Sequence, residues 1–468
     1  MTGSGRAWRA LVLIAMGACQ PRSKSSGAMP PGTSDALARI NHIVVIYLEN
    51  RSFDNLYGGF EGAEGLAAAR GARPQVNEHG VPYRVLPQAP GTPFPTDLPN
   101  APFEISRFVP PTAPTRDLVH RFYQEQVQIH GGRMDRFAVV SDAQGLVMGY
   151  YRTADLPLAA LAQEFTLCDR LFHSAFGGSF LNHQWLIAAR TPEFRDAPAS
   201  MRALLDSAGL PTRDGAVTPD GFVVNTAYSV QGPRPSSAAP NDLMPALTNP
   251  TIGDRLDDKG LSWAWYAGGW TAADSGRPGE DFQFHHQPFV YFAKFAEGSA
   301  ARREHLKDED AFIEAARSGT LPAVAFVKPA GLDNEHPGYA DVIRGERHVR
   351  ALIDDVRNGP NWHDTVIIVT YDENGGLWDH VAPPHIDRWG PGTRVPTIII
   401  SPFARRGFVD HTVYETVSIL ALMEKRWGLA PLTERDAGAA PLEGFLRVSE
   451  PGSASRPMPG APALPRSR

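Results

Sequence analysis

Apolar residues occur along this chain in short, unbroken runs separated by polar, turn-rich stretches. HIVVIYLEN is apolar and β-branched from Ile43 until it stops at Glu49 and Asn50. A run of that length without alternation predicts a strand buried on both faces of a parallel sheet. Similar runs recur as SWAWYAGG, PAVAFVKP, DTVIIVTYDEN and VPTIIISP, and between several of them apolar positions return at helical spacing, as around Glu346 to Val356. Strands alternating with helices predict an α/β fold, a doubly wound and mainly parallel sheet with helices on both faces. Ligands bind such sheets at the carboxyl ends of the strands. Two of the runs end there in acids and amides, Glu49-Asn50 and Asp372-Glu373-Asn374.

The rest of the pattern sets the organisation. Residues 61–109 and 192–249 are rich in Gly, Pro and Ala and lack periodicity, which predicts long insertions in a single catalytic domain over residues 41–448. ETVSILALMEKRWG carries apolar residues at helical spacing and predicts a late packing helix. At the start, RAWRALVLIAMGAC places Arg6 and Arg9 before a short apolar segment that closes on Gly17, Ala18 and Cys19. This predicts a signal peptide over residues 1–19, of the lipoprotein type with Cys19 lipidated, or else a plain signal peptide cut nearby. The apolar run is too short to span a bilayer. Residues 20–40 read as a disordered tether and 449–468 as a disordered tail. The protein is therefore expected to be exported: periplasmic, anchored to a membrane as a lipoprotein, or secreted.

Composition narrows the options. Two cysteines in 468 residues exclude a disulfide framework, and Cys168 in FTLCDRLF is expected as a buried free thiol. A net charge of −6, with no run of lysine and arginine to track a phosphate backbone, leaves nucleic-acid binding without support. The 44 glycines and 42 prolines gather between the apolar runs, so ordered loops are expected to build the site.

Phosphoester hydrolysis needs a nucleophile, a means of activating it, and charge to stabilise the transition state. Glu49 and Asn50 from one strand end, with Asp372 and Glu373 from another, could bring oxygen ligands to one metal. A single acid at a strand end is more often a helix cap or half of a surface ion pair, but two such clusters shift the balance. Ser179, in HSAFGGSFLNHQWLIAAR, follows two glycines and precedes a helical segment. It stands either at a phosphate-binding helix start or as a simple N-cap. His120, His285, His286 and His336 lie in aromatic, turn-rich contexts suited to holding a phosphate or protonating a leaving alkoxide.

Taken together, ENRSFDNLYG, GGSFLNHQ, FHHQPFVYF, DNEHPGY and YDENGGLWDHVAPP make the chain resemble the bacterial phosphoesterase family of acid phosphatases and phosphatidylcholine-preferring phospholipases C. The resemblance runs from about His42 to Trp427. It implies an alkaline-phosphatase-like fold and one divalent metal ion held by Glu49, Asn50, Ser179, Asp372 and Glu373. It further implies that Ser179 attacks phosphorus to form a phosphoserine, while His120, His286 and His336 hold the phosphate or protonate the leaving group. His286 is preferred to His285 because alternation along a strand would separate the two.

The phospholipase branch usually carries threonine followed by Asp-Pro-Asn-Arg at the nucleophile. Ser179 is followed by Phe-Leu-Asn-His, which favours phosphomonoesterase activity; Asp372-Glu373, as in many phospholipases, points the other way. Asp379 and His380 are expected to support the site without binding the metal. No Cys-x-Pro-x-Arg sequence is present to make a sulfatase nucleophile. Oxygen ligands suit calcium, magnesium, manganese or zinc. The expected substrate is a phosphate ester, either a small monoester or, alternatively, a phospholipid; a non-catalytic surface-binding lipoprotein is the reading from another class.

Overall fold

The computed structural model describes residues 33–447, so the leader with Cys19 and the tail over 449–468 lie outside the described residues. Within the stretch expected as tether, Thr33–Ala38 forms a short helix. Leu37 within it and Ile40 just after it are buried, because apolar side chains there dock on the core.

Eight strands form the central sheet: β1 (His42–Leu48), β2 (Thr166–Cys168), β3 (Trp263–Ala267), β4 (Leu306–Lys307), β5 (Val324–Lys328), β6 (Thr365–Tyr371), β7 (Thr397–Ile400) and β8 (Phe408–Asp410). Their order across the sheet is β8-β2-β7-β6-β1-β5-β3-β4. Every residue of β3, β5 and β6 is buried, as are Ile43 to Leu48 of β1. Since successive side chains point to opposite faces, both faces of the sheet are covered. This is the α/β, mainly parallel architecture expected from the apolar runs. Cys168, in β2, is buried and free.

One strand departs from parallel. VPTIIISP forms β7, which runs antiparallel to both β6 and β2. The connection from β6 contains no crossover helix, the usual means of bringing the next strand back in the parallel sense.

The helices used below are α1 (Phe122–Ile129), α2 (Ser179–Ala188), α3 (Val342–Asn358) and α4 (Ser418–Trp427). Asp341 caps α3 by accepting from the Arg344 N–H. Val342, Val349, Leu352, Ile353 and Val356 form its buried stripe, each contributing roughly 1.5–3 kcal/mol of apolar burial. The late helix expected in ETVSILALMEKRWG is α4. In the two insertions no described element exceeds four residues. Side-chain bonds to backbone order them instead: Asn100 accepts from the Gln75 N–H at 3.0 Å and donates to the Tyr83 carbonyl at 3.0 Å. No helix among the described residues is long and apolar enough to cross a membrane.

Candidate metal centre and nucleophile

The register of the sheet builds the site. Leu48 of β1 pairs with Tyr371 of β6, and Tyr47 follows Ile46, which pairs with Val327 of β5. The parallel strands β6, β1 and β5 therefore end side by side. The next residues are Asp372 from β6 and Glu49 and Asn50 from β1, while Lys328 is the last residue of β5. Asn50 takes a left-handed backbone, φ 64°, which turns the chain so that its N–H meets Asp372 Oδ1 at 3.1 Å.

Ser179 arrives from above as the first residue of α2. It is not the N-cap; that position belongs to Gly178, and no side chain caps the helix. Its Oγ donates instead to Glu49 Oε2 at 2.9 Å and lies 3.3 Å from Asn50 Oδ1. The first N–H groups of α2 thus stay available beside the hydroxyl. Gly177 makes the approach possible. Its φ is +87°, and a Cβ there would lie 2.5 Å from the Phe122 nitrogen.

Glu49, Asn50, Ser179, Asp372 and Glu373 converge in the buried interior, Ser179 being the most exposed at 5%. Burial and the neighbouring Glu49 carboxylate push the Asp372 carboxyl well above the usual range. Burial and Asp372 do the same to Glu373. Burial opposes charge on Glu49 too, but its cationic neighbours His286 and Lys328 hold it well below that range. Burial pushes His286 itself down, which leaves Lys328, hydrogen-bonded to Glu49 Oε1, as the lasting counter-charge.

Among the described residues, Asp372 Oδ2, Glu373 Oε1, His183 Nε2 and His286 Nε2 are buried without a hydrogen-bond partner. His286 Nε2 comes within 3.1 Å of Glu49 Oε1, but the two are too poorly aligned to bond. Repelling carboxylates and orphaned oxygens in one place fit a divalent cation, which would supply the missing charge and coordinate the free lone pairs. Glu49, His183 and His286 also lie close enough together to share an ion.

The histidines expected at the site gather around this centre. His120 Nδ1 faces the Leu118 carbonyl at 2.5 Å, and its Nε2 lies 3.3 Å from Asn50 Nδ2 and 3.8 Å from Glu373 Oε1. The carbonyl fixes the proton on Nδ1, so Nε2 accepts from Asn50 and aims the Asn50 oxygen at Ser179. His336 lies with its ring centroid 5.8 Å from that of His120 and stacks on Tyr339. Burial pushes the His336 imidazole down to about 3.

His286 is the buried member of its pair, whereas His285 is half-buried. The strand expected there is a 3-10 turn, Phe284–His286. Alternation is therefore not what separates the two rings, whose centroids are 4.6 Å apart.

Asp379 and His380 form, with Asp54, a second group whose side chains lie close enough together to share an ion. Asp379 pairs with Arg394 Nε at 2.8 Å and His380 Nδ1 with Asp54 Oδ2 at 2.7 Å, a buried ion-pair knot that braces the loop after β6.

Sequence reasoning missed four residues. Lys328 is one. His183, on α2, bonds through Nδ1 to the Ser179 carbonyl at 2.7 Å and stacks on His286 at 5.2 Å. Asn182 pins the loop that leads into Ser179 by donating to the carbonyls of Ala175 at 3.0 Å and Gly177 at 3.2 Å. Glu125, on α1, accepts from the Gly177 N–H at 2.6 Å, from His173 Nε2 at 2.9 Å and from the Thr393 N–H at 3.1 Å. Asn182 and His183 sit in the quoted motif GGSFLNHQ; their spacing of three and four from Ser179 on a helix was the available signal.

The whole chain resembles proteins named as phospholipases. It is 26% identical to "Phospholipase C A" of Mycobacterium tuberculosis over 99% of this chain and 87% of that protein. It is 26% identical to "Non-specific phospholipase C1" of Arabidopsis thaliana over 88% of this chain and 72% of that protein. A solved structure described as a protein in the alkaline phosphatase superfamily from Vibrio parahaemolyticus matches at 10% identity and a TM-score of 0.34, covering 69% of this chain and 70% of that one. Residues 40–430 match one family throughout, so the chain belongs to the Phosphoesterase family and is a hydrolase of phosphate ester bonds.

Proposed function

We propose that this protein hydrolyses phosphate esters through a Ser179 nucleophile at a centre holding one divalent metal ion. The observation that carries the reading is the position of the Ser179 hydroxyl, within hydrogen-bond reach of Glu49 and Asn50 at the uncapped start of α2. Glu49, Asn50, Ser179, Asp372 and Glu373 would hold the ion. When bound, it lowers the pKa of the serine hydroxyl and offsets charge on the phosphate.

The chain's own groups do the rest. Glu49 Oε2 orients the Ser179 hydroxyl, and the free N–H groups of α2 receive the phosphate oxygens. Ser179 gives its hydroxyl proton to solvent and its Oγ bonds to phosphorus as the bond to the leaving oxygen breaks; a histidine proton neutralises the departing alkoxide and is recovered from the water of the next step. Water then cleaves the phosphoserine. His120 and His336 stand at the more open side of the site. An anionic phosphate beside His336 favours its protonated form, which suits it to supply that proton, while His120 lines the same opening. His286, against Glu49, would support the ligand set and the phosphate.

A small phosphate monoester is the first substrate proposed, on the strength of the Ser-Phe-Leu-Asn-His sequence at the nucleophile. A choline phospholipid is the second, favoured by the names of the relatives. The test is phosphate release from an aryl phosphate and phosphocholine release from a choline lipid, with wild type and Ser179→Ala, with and without chelator. Wild-type turnover that is lost in the variant and in chelator, with a ³²P-phosphoserine trapped by acid quench, supports the mechanism. Turnover by Ser179→Ala removes Ser179 as the nucleophile. Cleavage of the lipid alone removes the monoester reading. Export with a lipidated Cys19 is proposed alongside, and the mass of the mature N-terminus tests it.

A further inference from the structure

Behind the metal centre lies a buried cluster that the mechanism above does not use. Glu335 has no solvent exposure, and its backbone is left-handed at φ 74°. A side chain other than glycine in that region is strained, and such strain persists only where the surroundings enforce it. Here the surroundings are α3, which passes so close that a Cβ on Gly345 would lie 2.3 Å from Glu335 Cγ. Only glycine leaves room at that point for the Glu335 side chain.

Glu335 has two partners. Its Oε2 accepts from the Tyr371 hydroxyl at 2.8 Å, and its carbonyl accepts from Arg51 Nη2 at 2.8 Å. Tyr371 and Arg51 are themselves buried at 2% and 1% exposure. Each of the three members is the immediate chain neighbour of a site residue: Arg51 follows Asn50, Tyr371 precedes Asp372, and Glu335 precedes His336. Three chain segments that meet at the site are thus tied to one another one residue behind it.

We infer that Glu335 is a positioning residue: through Tyr371 and Arg51 it fixes the relative placement of Asn50, Asp372 and His336. The inference rests on the site proposed above. Sheet pairing and the Asn50 N–H bond to Asp372 already join β1 to β6; the Tyr371 bond to Glu335 adds the segment that carries His336. With Glu335 in place, the β1, β6 and His336 segments move together or not at all. Partners of this kind, one layer behind the ligands, typically account for 10–100-fold in metal affinity or turnover. A purely structural role predicts a different result, because stability would fall while kcat and metal affinity held.

The test compares Glu335→Ala, Glu335→Gln and Tyr371→Phe with wild type and Ser179→Ala in the full-length protein. Turnover of an aryl phosphate, metal affinity by chelator competition, and thermal unfolding are measured on each. Glu335→Ala is expected to lower kcat or metal affinity by about 10-fold or more. Glu335→Gln keeps an acceptor for the Tyr371 hydroxyl and should recover most of that loss. Tyr371→Phe deletes the same bond from the other side, removes only a hydroxyl, and should reproduce part of the loss even where Glu335→Ala fails to fold. Wild-type kcat and metal affinity in Tyr371→Phe, with only Tm lowered, overturns the inference. Activity in Ser179→Ala instead overturns the nucleophile reading on which it rests, so the two failures are separable.

Discussion

Replacing Lys328 by methionine isolates the charge balance at Glu49. Both side chains are wholly buried. Lys328 Nζ donates to Glu49 Oε1 and Ser179 occupies Glu49 Oε2 at 2.9 Å. Methionine preserves the apolar stem and removes only the charged end, so a carboxylate inside the protein loses its cation. Deleting one partner of a buried ion pair costs about 3–5 kcal/mol, a fall in Tm of about 3–6 °C for a domain of this size. A divalent ion coordinated by Glu49 replaces that charge and meets one repelling cation fewer. Its affinity should therefore rise in Lys328→Met, and each tenfold gain returns about 1.4 kcal/mol at saturation. Thermal unfolding of both proteins, in chelator and at saturating metal, measures the difference. The Tm deficit should be full in chelator and clearly smaller with metal. Equal deficits in the two conditions would show that Lys328 and the ion do not share Glu49, and the ligand set would need redrawing.

Asp372→Asn should lose metal and turnover together while unfolding no lower than wild type in chelator, because burial and Glu49 already push this carboxyl up; full metal content without activity would point to an acid–base role instead. Glu125→Gln puts an amide NH2 among the donors of Gly177, His173 and Thr393, so kcat should fall about 10-fold with little change in KM, and an unchanged kcat would free the nucleophile loop from Glu125. Away from the site, burial and the Asp436 carboxylate push Glu424 up to about 8. The folded protein therefore keeps a proton that the unfolded chain releases near 4.5, and stability drains as pH climbs between those values. Glu424→Gln should raise Tm more at pH 8 than at pH 5, and an equal shift at both would refute that proton's role.

Much of this was readable in the chain because parallel strands buried on both faces leave unbroken apolar runs. HIVVIYL, PAVAFVK and DTVIIVTY announced β1, β5 and β6 directly, and the acids that end two of them marked the functional edge of the sheet. Their neighbourhood was not written in the runs. Strand order comes from crossover connections, and nothing local says that β5 lies beside β1 and so delivers Lys328 to Glu49. A lysine ending an apolar run reads as a surface residue, and only its burial against Glu49 reverses that. The 3-10 turn at Phe284–His286 likewise defeated a strand reading, since three residues among glutamines and aromatics carry no period. Glu125 was hidden for a related reason: its partners Gly177 and Thr393 are 52 and 268 residues away.

The charges explain why the centre is built from unlike parts. Glu49, Asp372 and Glu373 could carry three negative charges, and the cation Lys328 is bonded to Glu49 alone among them. Left alone, such a group lowers its charge by holding protons, which is the direction burial gives Asp372 and Glu373. A divalent ion bound there would make all three acids tolerable as carboxylates, and metal binding and carboxylate ionisation would then be one equilibrium seen from two sides. A phosphate entering a site whose core would be near neutral with such an ion bound would need its own charge met by the histidines at the opening. A monoester dianion calls for more protonation there than a diester monoanion does. The imidazole of His336, pushed down to about 3 by burial, is costly to protonate until the phosphate arrives. The choice between monoester and lipid therefore rests less on the metal ligands than on how readily His336 takes up a proton beside a bound phosphate.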